Sequence, residues 1–429
     1  MRVLVVGAYG LIGGYVASRL LRDGHEVIGA GRSIRQAQRR MPRVRWARID
    51  LTRTDAEQWA RQLVGIDAVV NCAGALQDGP RDDLEAVHVA GVLALARACE
   101  LAGIRRFIQV SAAGVETGDG AFSRTKREAD QALSRLDLDW VILRPGLVLA
   151  PAAFGGSALL RGLAAFPGIV PAIHAEAVVQ AVAVEDVAEA VARSVRPDGP
   201  TRIVCGLAAA EPTRLADVLL SLRAWLGLGP APVLALPPAL GHVAGWAADA
   251  LGWLGWRSPM RSAALKQLAE GVRVPSGDAQ TLLGMTPVSL GDMLAQWPSG
   301  VQDRWFGRLY FLKPLLLLIL AVFWMASGAI GLLHAAAAER VLVSAGFAAP
   351  SARAAVLAGS VVDLLLGALI GLRRTAPAAL MGTLVVTAAY LVGATLWRPD
   401  LWGDPLGPLL KTLPAAVLSL VALAIMDER

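Results

Sequence analysis

Short runs of branched apolar residues alternate with longer amphipathic stretches through the first third of the chain. The runs at residues 3–6, 26–29, 44–49, 68–71, 107–110 and 140–143 have the continuous apolar character of strands buried on both faces, and the stretches between them have helical periodicity. This alternation predicts a parallel sheet covered on both sides, so residues 1–150 are expected to form a doubly wound α/β domain. Thr54 and Asp55 precede one helical stretch and Asp82 and Asp83 another, where N-capping side chains belong. Residues 151–300 are richer in Pro and Gly, hold strand-like pieces at 177–184 and 202–205, and then turn mainly helical; they read as a substrate-side extension of the same unit. Within them Leu240, Val243, Trp246, Ala250 and Trp253 recur at helical spacing. That face either packs on the core or lies on a bilayer surface, where Trp is favoured.

The pattern changes after Arg304, Arg308 and Lys313. Four apolar segments follow, at 311–333, 354–372, 376–397 and 406–426, each of 19 to 23 residues. That length crosses a hydrocarbon core of about 30 Å at about 1.5 Å per residue, so residues 306–429 are expected to form a four-helix transmembrane bundle. The composition agrees, with 55% hydrophobic and 18% charged residues and a mean hydropathy of +0.52, which excludes a disordered chain. Arg304, Arg308 and Lys313 precede the first segment and Arg373 and Arg374 join the second to the third; both clusters are expected on the cytoplasmic side. The N-terminal domain and the C-terminal residues 427–429 would then share the cytosol across an inner membrane, with Trp397 and Trp402 at the outer interface. The opening residues enter a strand without an apolar signal region, which predicts the same location for the first domain. The net charge of +6 is accounted for by these loops and by a solvated basic run at Arg39, Arg40, Arg43, Arg45 and Arg48, which holds a single aromatic, Trp46, and no known motif that would suggest nucleic acid. Cys72, Cys99 and Cys205 are far apart and odd in number, which fits neither a disulfide framework nor a cysteine zinc site. The histidines show no metal-binding spacing, so no metal is expected.

Candidate chemistry begins at Gly7-Ala8-Tyr9-Gly10-Leu11-Ile12-Gly13, directly after the first strand and opening a helix. Glycines there permit a tight turn, close approach to a pyrophosphate and packing of helix on strand, while helix amides face the phosphates. At the end of the second strand an NAD site usually offers a carboxylate to the ribose; here no acid lies between Glu26 and Asp50, and Arg32 and Ser33 stand instead. A guanidinium suits a 2′-phosphate, so NADP(H) is favoured over NAD(H).

Residues 1–300 resemble the extended or atypical branch of the short-chain dehydrogenase/reductase superfamily, with a likeness to the Rossmann-like accessory subunit of respiratory complex I. The resemblance rests on the glycine segment, on Asp50-Leu51, on Asn71-Cys72-Ala73-Gly74, on Ser111, on Lys126 and on Arg144-Pro145-Gly146. It implies that Asp50 holds the adenine, that residues 71–74 line the cofactor, that Lys126 binds the nicotinamide ribose and that Pro145 lies by the nicotinamide. The family's proton-transferring Tyr stands four residues before the Lys; this chain has Phe122 there. Phe keeps the shape of the phenol and lacks its ionisable group. Lys126 itself, Ser111 or Ser123 with a water, or a quinone acceptor drawing protons from solvent would each replace it. Glu185 and Asp186 read as caps of a helix, and His88 as a residue satisfying backbone.

The last hundred residues resemble the DoxX-like membrane family, through Asp363-Leu364-Leu365-Leu366-Gly367 and the stretch 401–414. Asp363 and Lys411 are expected to pair inside the bundle, as a structural contact or as a polar pocket for a quinone head group or proton path. The sequence therefore predicts a membrane-anchored NAD(P)H-dependent oxidoreductase acting on a small lipophilic substrate, with a quinone as one acceptor. The alternative is a catalytically silent NADP(H)-binding module contributing to a membrane complex. A nucleotide-sugar epimerase or dehydratase is weaker, because that chemistry also leans on the absent Tyr.

Overall fold

A computed structural model describes residues 1–79, 82–256, 258–275 and 277–427; Glu428 and Arg429, part of the C-terminal end expected in the cytosol, lie outside the described residues. Seven strands, β1 (Arg2–Val6), β2 (Glu26–Gly31), β3 (Arg45–Arg48), β4 (Ala68–Asn71), β5 (Arg106–Val110), β6 (Asp139–Pro145) and β7 (Ile203–Leu207), form one sheet in the order β7-β6-β5-β4-β1-β2-β3. Every neighbouring pair is parallel. Successive side chains of β1 serve opposite faces: Val3 and Val5 join a core with Ile108 and Val191, whereas Leu4 joins one with Trp59 and Phe107. The chain leaves β1 toward β2 and β3, then returns so that β4 lies on the other side of β1. This reversal opens a crevice beyond the carboxyl ends of β1 and β4, the usual ligand position in such sheets. The helices α1 (Leu11–Arg22) and α2 (Ala121–Leu133) follow β1 and β5 and carry residues to that edge. Asp55 caps the helix Ala56–Gln62, accepting from the Gln58 amide at 2.8 Å, and Asp83 accepts from the Ala86 amide at 2.9 Å. The piece expected at 177–184 is two short strands, Val178–Val179 and Ala181–Ala183.

Residues 1–249 and 258–307 make one compact unit and 250–257 and 308–429 another. The second unit draws on α3 (Val301–Leu333), α4 (Ala335–Ser344), α5 (Ala349–Ile370), α6 (Ala376–Trp397) and α7 (Pro408–Ala424). Among the described residues three helices, α3, α5 and α6, are long and apolar enough to cross a membrane. The last is shorter than the 406–426 segment suggested: Gly407 takes a left-handed φ of 56° and Pro408 starts the helix, leaving 17 residues. The short helix α4 was not anticipated. Lys313 and Arg373 both donate to the Met426 carbonyl, at 3.3 and 3.1 Å. The start of the first apolar segment, the α5–α6 link and the end of α7 therefore meet at one end of the bundle.

The expected ion pair between Asp363 and Lys411 does not form. Asp363 is buried, but its two oxygens accept from the hydroxyls of Ser327, at 2.8 Å, and Tyr390, at 3.0 Å. Lys411 is exposed in the first turn of α7. The late start of that helix leaves Lys411 near its end, and the two hydroxyls already satisfy the carboxylate.

Candidate functional site

The turn from β1 into α1 tolerates only glycine at two of its positions. Gly7 has a φ of 76°, and a Cβ on it would lie 2.8 Å from the Ala73 amide nitrogen; one on Gly13 would lie 2.2 Å from the Gly7 carbonyl oxygen. Gly10 precedes α1 in extended conformation, and no side chain caps the helix. The first-turn residues Leu11, Ile12 and Gly13 thus begin a helix whose amide end opens at the crevice. Cys72 and Ala73 leave β4 directly against Gly7, and burial pushes the Cys72 thiol up to about 12, so it remains a protonated, unreactive side chain. The glycines let this turn pack tightly on its own backbone, and the uncapped amide end of α1 fits a dinucleotide pyrophosphate.

Toward the adenosine side, Tyr9 lies over Gly31, whose added Cβ would be 2.1 Å from the ring. Arg32, half-buried just beyond β2, donates to Asp82 at 2.7 Å, and Ser33 beside it is exposed. Asp50 is occupied by its own turn, accepting from the Thr52 amide at 3.2 Å and hydroxyl at 2.8 Å. Leu51 is buried.

On the other side of the crevice α2 presents Phe122, Lys126 and Asp130, one turn apart. Lys126 is 4% exposed and donates to the Val110 carbonyl at 3.0 Å. Its Nζ lies 3.4 Å from where a Gly74 Cβ would stand, which brings the lysine to the segment after β4. Burial holds this ammonium below the ordinary lysine range, with the charge of Asp130 acting against the shift. Asp130 is 2% exposed. Its Oδ2 accepts from the Ser111 hydroxyl at 2.8 Å and from Arg144 at 3.1 Å, while its Oδ1 is buried without a hydrogen-bond partner. Burial raises the Asp130 carboxyl, opposed by the Ser111 hydrogen bond and by the charges of Arg144 and Lys126. Pro145 ends β6 and accepts from the Ala113 amide at 2.9 Å.

Phe122 meets His88 edge-on, with ring centroids 5.6 Å apart. The Ala75 amide donates to His88 Nε2 at 3.2 Å, so Nδ1 carries the proton toward the Thr125 hydroxyl 2.8 Å away. Thr125 in turn donates to the Ala121 carbonyl at 2.9 Å. Burial, then the charge of Lys126, lowers His88 to about 3; it stays neutral and spends both nitrogens on structure. Asp186 does not cap the helix Val184–Val195, which has no side-chain cap, and instead receives the Val288 amide at 2.9 Å.

The residues expected at the pyrophosphate and the nicotinamide converge on one crevice: Gly7, Gly10, Leu11, Ile12, Gly13, Cys72, Ala73, Gly74 and Lys126. Arg32 and Asp50 are engaged by neighbours of their own. The Asp130–Arg144 pair escaped the sequence reading. Its signal was the spacing, since Asp130 follows Lys126 by four residues and shares its helix face.

A family described as NAD(P)H-binding matches residues 7–197, and the DoxX-like family matches residues 321–420. The chain belongs to the NAD(P)H-binding, short-chain dehydrogenase/reductase-like proteins and carries a C-terminal DoxX-like domain. This reductase-like part is 30% identical over 160 residues to the UPF0659 protein YMR090W of Saccharomyces cerevisiae, covering 34% of this chain and 69% of that one. It is 31% identical over 125 residues to a UDP-glucose 4-epimerase of Mycolicibacterium smegmatis, covering 27% of this chain and only 39% of the epimerase. Its fold is similar to an NADPH-dependent quinone oxidoreductase, QOR2, of Escherichia coli solved with NADPH, at 16% identity and a TM-score of 0.54, covering 68% of this chain and 98% of that one. A UDP-glucuronic acid 4-epimerase of Bacillus cereus solved with UDP-glucuronic acid and NAD shares the fold at 18% identity and a TM-score of 0.51, covering 73% of this chain and 100% of that one.

Proposed function

We propose that this protein is a membrane-anchored NADP(H)-dependent oxidoreductase whose electrons pass to a lipophilic acceptor, a quinone being the chemical class that suits it. The observation that carries this reading is the buried Lys126. It lies against Gly74 on the crevice, with its ammonium lowered by burial and a buried carboxylate one turn away, in a site whose phenol position is filled by Phe122. The bound dinucleotide would supply a hydride. Within the protein, Gly7, Gly10 and Gly13 allow the tight turn that would bring the α1 amides to its phosphates, Lys126 orients the ribose and delivers a proton from Nζ, and Asp130 with Arg144 and Ser111 holds the charge balance behind Lys126. Phe122 and His88 exclude water from that side.

The preference for NADP(H) rests on Arg32 and the lack of an acid between Glu26 and Asp50. Because Asp82 already holds Arg32, a 2′-phosphate must share or displace that carboxylate. An R32A variant should lose on the order of tenfold in NADPH affinity with NADH affinity unchanged, as read by fluorescence titration.

The two basic residues gathered on Met426 support an even number of crossings, with that end cytoplasmic by the positive-inside rule. At about 1.5 Å per residue the 17 residues of α7 span about 25 Å, close to the bilayer core. On this reading both termini and the dinucleotide domain lie on the cytoplasmic side of the inner membrane.

NADPH oxidation by detergent-purified protein, with and without a soluble quinone and beside a direct NADPH titration, tests the reading. Quinone-dependent oxidation is expected. Binding without turnover against any acceptor would favour a silent NADP(H)-holding module within a membrane complex, a reading supported by the lack of the phenol at Phe122.

A further inference from the structure

The helix Pro238–Trp253 is inverted relative to a water-facing helix. Its buried residues are the small ones, Gly241, Gly245 and Ala248. A Cβ on Gly241 would lie 3.2 Å from Ile173, and one on Gly245 3.3 Å from Ser262, so this stripe permits close packing. The bulky apolar residues point away: Leu240 is 52% exposed, Val243 61%, and Trp246 and Trp253 73% each. At 3.6 residues per turn these four fall in one arc opposite the buried stripe. The helix's one carboxylate, Asp249, is turned aside to Gln77, Arg261 and Ser262 at 2.8, 3.0 and 2.6 Å. No carboxylate, Lys or Arg interrupts the outward arc, and His242 stands at its margin. A soluble surface helix has the reverse arrangement, and a contiguous apolar patch of this kind marks an interaction site.

The continuation of the chain indicates what covers it. The Leu254 carbonyl accepts from the Arg373 amide at 3.1 Å, the Trp256 indole donates to the Gly371 carbonyl at 2.7 Å, and the Arg373 guanidinium lies over the Trp256 ring at 5.5 Å. Gly371 and Arg373 belong to the link between α5 and α6, two helices long enough to cross a membrane. Such a link lies where hydrocarbon gives way to head groups, the depth at which Trp side chains are favoured. The C-terminal end of the exposed arc is therefore tied to the membrane boundary.

We propose that the helix Pro238–Trp253 is an in-plane membrane-surface element, with Leu240, Val243, Trp246 and Trp253 seated among lipid head groups and upper acyl chains. The contact is apolar, so it needs no anionic lipid and is insensitive to salt.

The test uses the full-length protein reconstituted in phosphatidylcholine vesicles, with an environment-sensitive fluorophore on V243C and, as reference, on L101C, a position 83% exposed. The unsubstituted chain gives the background from Cys72, Cys99 and Cys205, and an unchanged NADPH titration confirms folding. Lipid-borne nitroxide should quench the label at 243 strongly and aqueous iodide weakly, with the reverse at 101. Combining W246E and W253E with V243C should raise iodide quenching to the level at 101. Full iodide access at 243 without lipid quenching would overturn the proposal, leaving the face to water. Protection from both quenchers would also overturn it, in favour of a protein cover.

Discussion

Among the described residues two carboxylates are buried, one in each unit, and they are satisfied in opposite ways. Asp363, in the apolar bundle, accepts at one oxygen from the Ser327 hydroxyl and at the other from the Tyr390 hydroxyl, with no cation among the described residues in hydrogen-bonding contact. Asp130, in the sheet domain, concentrates Ser111 and Arg144 on one oxygen and leaves the other buried without a hydrogen-bond partner, one turn from Lys126. A group with both oxygens hydrogen-bonded behaves as packing, whereas a buried oxygen left open beside a buried ammonium is a cost retained where chemistry is done. The contrast supports the proposal that the reaction belongs to the sheet domain, with the bundle as its anchor.

The largest effect should come from removing the ammonium. K126M should lower quinone-dependent NADPH oxidation by about 100-fold or more, the range expected for loss of a proton carrier, while a titration still shows NADPH binding. Next, D130N should lower the rate on the order of tenfold and change its pH dependence. Lys126 must be protonated to donate, so the rate falls as pH rises through its depressed pKa. The Asp130 charge opposes that depression, so removing it moves the alkaline limb to lower pH. D363N should leave the rate and its pH profile unchanged and cost about 1–2 kcal/mol of stability, read as a lower melting temperature in detergent. A D363N protein that folds and binds NADPH but no longer reduces quinone would collapse the distinction between the two carboxylates. The smallest effect belongs to F122Y. With Lys126 already donating, an added phenol should raise turnover less than about tenfold; a much larger gain would show that the proton donor had been missing.

The sheet was legible because parallel strands buried on both faces leave continuous apolar runs, and the glycines of the β1–α1 turn were legible because no side chain fits there. Phe122 and Lys126 were singled out through the resemblance, in which a Tyr stands four residues before the Lys. The pairing of Asp363 with Lys411 was misjudged because linear depth along two helices does not say which hydroxyls reach a carboxylate first. Ser327 and Tyr390 lie 36 and 27 residues from Asp363, and only packing brings them in. The use of Asp130 was hidden for the same reason, since Ser111 and Arg144 come from strand ends remote in sequence. The face of the helix Pro238–Trp253 was visible as a pattern, but its direction depended on glycines that pack closely only in three dimensions.

The most direct test of the central claim is the pH dependence of quinone-linked NADPH oxidation in the intact protein. The account predicts an alkaline limb below the ordinary lysine range that shifts to lower pH in D130N and disappears with the activity in K126M. A rate that is independent of pH there, or that K126M leaves intact, would contradict it.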